Sequence, residues 1–283
     1  DEDWIHGPHT IADECGELRK WLERALRSQE TELIYVLGIG LGYMVSEIFR
    51  ETESRRGQDG TPIALVLLEP RLDVFRAMLQ LNDWTSLLSS QRTFLCVGEE
   101  FIQLCREVRE RNHLDACARP VHMFGRPTWP TEQSAYQALL RDIDEGRRRY
   151  AYAKQNLQKQ LFEKHRRGRT EVRRIWTSVS LGDRAIQHIV RALMRALERK
   201  GFEIRILEID PDSYQPPWRS FMDICSFQPD LLLQANFPSS LLLPREVARA
   251  LPIPRATWYV DNPAYFWRQH PMFFFTEFDH VFV

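Results

Sequence analysis

The most restrictive feature of this chain is a short apolar run that ends in a cluster of glycines. Residues 33–37 are all apolar, and Gly38, Gly40 and Gly42 follow at alternate positions before a helical pattern begins at Tyr43. A short apolar run of this kind is typical of a β-strand whose two faces are both covered. The order of strand, glycine turn and helix therefore predicts a parallel sheet covered by helices.

The same alternation continues along the chain. Further strands are expected at residues 63–68, 93–97, 120–124, 175–179, 203–209, 231–235 and 256–260 and around Val281, with helical patterns between them. Parallel neighbours need long crossover connections, usually helices. The pattern thus predicts an α/β fold with two Rossmann-like domains, each built on a mainly parallel sheet.

A long amphipathic stretch separates the two halves. Residues 131–165 contain no proline and one glycine, Gly146, which is where we expect any interruption of the helix. The expected organisation is a domain at residues 1–130, a basic helical linker at 131–172 and a second domain at 173–283.

The linker ends in a basic cluster that runs from Lys164 to Arg174. Arginine pairs well with phosphate, so the cluster is a candidate site for a phosphate-rich partner. The alternative is a solvated helix end, where cations are favoured by the helix dipole.

Composition narrows the class of protein. A chain of 283 residues is long enough for two domains. Its formal net charge of −1 argues against a nucleic-acid partner.

No apolar run approaches the roughly 18 residues that a membrane span needs, and no signal segment is recognisable, which predicts a cytoplasmic protein. The five cysteines show no CxxC spacing and are expected to be reduced core residues: Cys15, Cys96, Cys105, Cys117 and Cys225.

The glycine turn is the first candidate site. Gly38, Gly40 and Gly42 let the backbone turn tightly and approach a ligand, and the following helix offers free N–H groups. Glu69 ends the next strand, where doubly wound folds place a carboxylate on ribose hydroxyls. The pattern is closer to an S-adenosylmethionine turn than to a dinucleotide turn. The alternative is that these glycines only pack the strand against the helix.

Two aspartates are the candidate catalytic residues, and both follow expected strands of the second half. Asp261 precedes Asn262 and Pro263 at a strand end, the rim where open α/β sheets bind ligands. Asp183 follows Gly182 just before a helix and is the second candidate. Each has an equally good local explanation, Asp261 as a turn residue and Asp183 as a helix N-cap. No set of residues has metal-ligand spacing, so no metal is expected.

Several of these motifs carry a resemblance to known bacterial families. The sequences YVLGIGLGY at residues 35–43, LEP at 68–70 and FRA at 75–77 resemble the N-terminal domain of the motility-associated (Maf) flagellin glycosyltransferases, over about residues 30–125. The sequences QPDLL at 228–232 and WYVDNP at 258–263 are similar to the N-terminal half of CgeB-like glycosyltransferases of GT-B architecture, over about residues 173–283. The Maf middle domain is not found after residue 130.

The resemblance implies a glycosyltransferase that moves a sugar from a nucleotide donor to a protein or surface-polysaccharide acceptor. In the GT-B architecture the nucleotide sugar binds the C-terminal half, which would lie beyond Val283. We therefore expect this chain to be a piece of a longer enzyme, inactive alone, that supplies an accessory domain and the acceptor-side half. Two alternatives remain: an S-adenosylmethionine-dependent methyltransferase carried by residues 1–130, and a non-catalytic scaffold or binding module.

Overall fold

The structure is a computed structural model that describes residues 11–26, 31–56, 61–117, 119–124, 130–166, 171–210, 214, 217–236, 243, 245–260 and 278–282. These residues form an α/β protein with parallel sheets, which confirms the predicted fold class at that level. The chain divides into two compact units, at residues 1–150 and 151–283. The boundaries at 130 and 172 drawn from the sequence stay predictions.

The first unit is built on a parallel four-stranded sheet with the order β3-β2-β1-β4. Its elements in chain order are α1 (Ile11–Ala25), β1 (Thr31–Leu37), α2 (Tyr43–Thr52), β2 (Ala64–Glu69), α3 (Leu72–Leu81), α4 (Thr85–Leu88), β3 (Thr93–Val97), α5 (Phe101–Asn112), a 3₁₀ turn (Leu114–Ala116), β4 (Arg119–Phe124) and α6 (Pro130–Arg166), which continues into the second unit.

The core of this unit explains why residues 33–37 are apolar without a break. All five are at most 1% exposed, because helices cover both faces of β1. Ile34 and Val36 pack with Leu22 of α1 and Ile48 of α2. α5 packs on β2 and β3, and its Phe101 makes an edge-to-face contact with Tyr136 of α6.

The second unit contains a parallel five-stranded sheet with the order β6-β5-β7-β8-β9. Its elements are β5 (Arg174–Ser180), α7 (Arg184–Glu198), β6 (Glu203–Ile209), α8 (Pro217–Phe227), β7 (Leu231–Ala235), α9 (Arg245–Ala250), β8 (Arg255–Trp258) and β9 (Asp279–Phe282). α7 covers one face, where Val190 and Met194 pack with Val179. On the other face Trp176 donates to Asp223 of α8, with 2.6 Å between Nε1 and Oδ2.

α6 runs without interruption through Gly146 for 37 residues. The interruption considered at this glycine is therefore absent. Its last part belongs to the second unit, where the Lys154 ammonium lies 3.4 Å from the centre of the Trp218 ring and Gln228 Nε2 donates to the carbonyl of Leu157.

Four of the expected core cysteines are confirmed as buried, unbridged thiols: Cys96, Cys105, Cys117 and Cys225. The side chain of Cys15 lies outside the described ones. None of the helices in the described part of the chain combines the length and the apolar composition that a membrane crossing requires.

Candidate functional site

The glycine turn between β1 and α2 has the backbone conformation that its sequence requires. Gly40 has a φ of 56° and Gly42 a φ of 88°, both in the left-handed region that side chains disfavour. Gly42 is the N-cap of α2, and its N–H donates to the carbonyl of Ile39 over 3.1 Å. The turn is therefore tight and internally bonded.

Gly42 faces packed side chains. A Cβ built at this position would lie 2.5 Å from Cη2 of Trp84 and 2.9 Å from Cγ of Met78. Trp84 is itself fixed by a 2.8 Å hydrogen bond from its Nε1 to the Met78 carbonyl. The third glycine of the motif is thus accounted for by close packing of the turn on the α3–α4 region.

Glu69 reaches the same turn from the end of β2. Its side chain is buried, and Oε2 accepts from the N–H groups of Ile39 at 3.0 Å and Gly40 at 3.3 Å. Its other oxygen, Oε1, accepts from the N–H of Arg71 at 3.1 Å. The carboxylate thus lies where the turn amides would hold an anionic group, and it engages them itself.

The structure therefore brings the predicted cofactor-binding residues together, but the Glu69 carboxylate bonds the turn amides itself. Gly38 joins the set through a 2.8 Å hydrogen bond from its N–H to the Leu68 carbonyl. A carboxylate with three backbone donors is well compensated without a ligand. The assignment of Gly38, Gly40, Gly42 and Glu69 to a nucleoside site stays a prediction, and any ligand would have to compete with these contacts.

Asp183 lies at the carboxyl edge of the second sheet, in the exposed connection from β5 to α7. Its Oδ1 accepts from the N–H of Ile186 over 3.0 Å, the contact of an N-cap residue. Asp261, the first catalytic candidate, lies outside the described residues. Both catalytic assignments stay predictions.

Three described members of the basic cluster, Lys164, Arg173 and Arg174, are engaged in structural contacts. Lys164 forms a 2.7 Å ion pair with Asp230, whose Oδ2 also accepts from the N–H groups of Arg173 at 3.0 Å and Arg174 at 2.8 Å. Burial tends to raise the pKa of Asp230, but the Lys164 ammonium and the two amides outweigh it and hold that pKa below its ordinary value. Arg173 and Arg174 pair with Glu171 and Glu203, respectively.

A further polar group was not identified from the sequence. Ser178, Gln234 and Thr257 lie side by side on β5, β7 and β8 and are 3%, 1% and 1% exposed. We name these residues the polar row. The signal was present, because a glutamine interrupts the apolar strand Leu231–Ala235, but periodicity alone does not show which polar residues become neighbours.

Among the described residues, no group of three or more His, Cys, Asp or Glu side chains is arranged to hold a metal ion. No protein-family model, curated protein or solved structure gives a significant match to this chain.

Proposed function

We propose that the chain belongs to a glycosyltransferase in which the second unit holds the sugar acceptor and the first unit is an accessory domain. The observation that supports a ligand site in the second unit is the reversal of strand order in its sheet. The chain goes from β5 outward to β6 and then returns to β7 on the other side of β5. Ligands of open α/β sheets bind at such a reversal, beyond the carboxyl ends of the strands.

The orders of the two sheets support a Rossmann-like assignment for both units. Numbered within each unit, the orders are 3-2-1-4 and 2-1-3-4-5. The first is the order of the corresponding strands in the dinucleotide-binding fold, and the second is the flavodoxin-like order. These folds serve many chemistries, so the choice of glycosyl transfer rests on the resemblance of residues 173–283 to CgeB-like enzymes.

The contacts of Glu69 favour an accessory role for the first unit. A nucleoside-binding acid keeps its oxygens for ribose hydroxyls, whereas Glu69 bonds the amides of Ile39, Gly40 and Arg71. The glycines of positive φ and the acid at the strand end still make S-adenosylmethionine the ligand to test. Titration calorimetry with S-adenosylmethionine should give no heat of binding, and saturable binding would favour the methyltransferase instead.

The proposal is tested by nucleotide-sugar turnover in the natural full-length protein. We expect release of a nucleoside diphosphate from one member of a panel of UDP-, GDP-, CMP- and dTDP-sugars (a monophosphate for CMP), dependent on an added glycan or protein acceptor. Residues 1–283 alone should release none, because the resemblance assigns donor binding to another part of the enzyme. Absence of release by the full-length protein with every donor would refute the proposal.

A further inference from the structure

The polar row lies on one buried face of the second sheet. The Ser178 hydroxyl donates to Oε1 of Gln234 over 3.0 Å, and Thr257 is the register partner of Gln234 on the next strand. Neighbours in register project to the same face of a parallel sheet. Polar side chains of β5, β7 and β8 are therefore aligned on one buried face.

The amide nitrogen of Gln234 gives the row its significance. Nε2 is fully buried and has no hydrogen-bond partner within the part of the chain that the structure describes. Buried polar groups in native proteins are nearly always bonded, so an exception calls for a specific explanation such as a bound molecule. The position supplies a donor that has no acceptor among the described residues.

Thr177 provides a contrast on the same strand. Its hydroxyl also lacks a partner among the described residues, but successive residues of a strand face opposite sides, so it lies on the face that α7 covers. Its register partner there is Ile206. A lone hydroxyl among apolar side chains offers a ligand nothing further, whereas Gln234 stands between two hydroxyl-bearing residues.

The row also lies where a ligand is expected. β5 ends at Ser180, β7 at Ala235 and β8 at Trp258, so each member of the row is one or two residues from the carboxyl end of its strand. β5 and β7 are the strands between which the order of the sheet reverses. The free donor is therefore next to the position that α/β folds use for binding.

The chemistry of the row selects a neutral ligand. It offers one amide N–H₂ group and two hydroxyls and contains no ionisable group, so it can bond hydroxyl or carbonyl oxygens but cannot balance a buried phosphate. We infer that Ser178, Gln234 and Thr257 form the floor of a subsite for hydroxyl groups of a neutral saccharide, the acceptor of the transferase. This inference rests on the proposed function. It concerns the acceptor of the transferase and not its nucleotide-sugar donor.

The test follows the Gln234 side-chain N–H₂ signals by NMR in ¹⁵N-labelled protein, assigned by their loss in Gln234→Leu. Glucose, galactose, N-acetylglucosamine and maltose are added without nucleotide. We expect at least one to shift these signals saturably. Gln234→Leu should weaken the binding of that sugar by about tenfold or more. Binding to this variant is followed through the backbone signals of Ser178 and Thr257. The unfolding temperature of Gln234→Leu is recorded as a check on the fold, because the substitution removes the unbonded N–H₂ group but also takes the acceptor Oε1 from the buried Ser178 hydroxyl.

Thr177→Val is the matched control. It removes a similarly buried, unbonded hydroxyl from the opposite face, so it should raise the unfolding temperature without changing sugar affinity. The inference is overturned if no sugar shifts the Gln234 signals or if Gln234→Leu binds sugar like the wild type. Sugar binding without nucleotide-sugar turnover would refute the transferase alone, and turnover without sugar binding would refute this subsite alone.

Discussion

The Arg109 guanidinium lies against the backbone of Gly146, so closely that a Cβ at position 146 would stand 2.1 Å from Arg109 Nη2. Arg109 is 1% exposed and pairs with Asp115, at 2.8 Å from Nε to Oδ1, and with Asp142, at 2.8 Å from Nη1 to Oδ2. Gly146 follows Asp142 by one turn of α6. The glycine therefore makes room for a buried ion pair that fixes α6 to α5.

Gly146→Ala should destabilise the protein, although alanine is the better helix former. Helix propensity alone would stabilise by about 1 kcal/mol, whereas forcing a methyl group into a packed site costs about 1–3 kcal/mol. Gly16→Ala in α1 is the matched control, because a Cβ there meets nothing within 4 Å and should stabilise. Urea unfolding measures both. Equal or greater stability of Gly146→Ala would show that Arg109 can move aside.

Glu69→Gln should reduce stability whether or not a nucleoside binds. The substitution removes the charge that Ile39, Gly40 and Arg71 share, and hydrogen bonds to a charged group contribute about 1.5–3 kcal/mol. Thermal unfolding should show the loss, while Glu99→Gln, at an exposed position after β3, should change little. An unchanged unfolding temperature would mean that the carboxylate is not needed to hold the turn.

The Lys164–Asp230 pair should make the protein sensitive to acid. The pKa of Asp230 is lower in the folded protein than its ordinary value of 3.8. The ionised carboxylate therefore stabilises the fold fully above pH 3.8, and this stabilisation is lost as the pH falls through the lowered pKa. Asp230→Asn should cost about 3–5 kcal/mol at neutral pH, because it leaves Lys164 without its charge partner. Below pH 3.8, the unfolding free energy of Asp230→Asn should also fall less steeply than that of the wild type.

Exposed Asp144 on α6 is the control for this measurement, since Asp144→Asn also removes one carboxylate but should leave the stability at neutral pH unchanged. An acid profile of Asp230→Asn that runs parallel to the wild type would contradict the assignment.

The positions of most strands could be predicted because burial on both faces leaves an apolar run that stands out. Glu203–Ile209 and Leu231–Ala235 were expected at the bounds that the structure shows. The strand expected at residues 256–260 ends instead at Trp258. Beyond it, the N–H of Val260 donates to Oδ1 of the Asn236 side chain over 2.8 Å and not to a neighbouring strand. α4 was missed since it is a single turn, started by Asp83, which accepts from Thr85 N–H at 2.9 Å.

The candidate sites were harder to predict because their meaning depends on distant partners. The sequence places Glu69 at a strand end, but it does not show that its carboxylate contacts the amides of Ile39 and Gly40, which are 30 and 29 positions away. Likewise Ser178 and Gln234 are separated by 56 positions and become neighbours only when β5 pairs with β7. Local sequence patterns predict helices and strands. Predicting a site also requires the register in which those strands pair.

The catalytic prediction concerns Asp261, which comes three positions after the last residue of β8 in the sequence. A carboxylate there can act as the base that deprotonates an acceptor hydroxyl, a contribution of about a hundred- to ten-thousand-fold in rate. In the natural full-length protein Asp261→Asn should therefore lower kcat to that extent while donor affinity and unfolding temperature stay the same. Asp183→Asn tests the second candidate in the same assay, since asparagine caps α7 as well as aspartate does. A loss of rate in that variant alone would move the base to Asp183, and wild-type rates in both would remove both residues from the catalytic machinery.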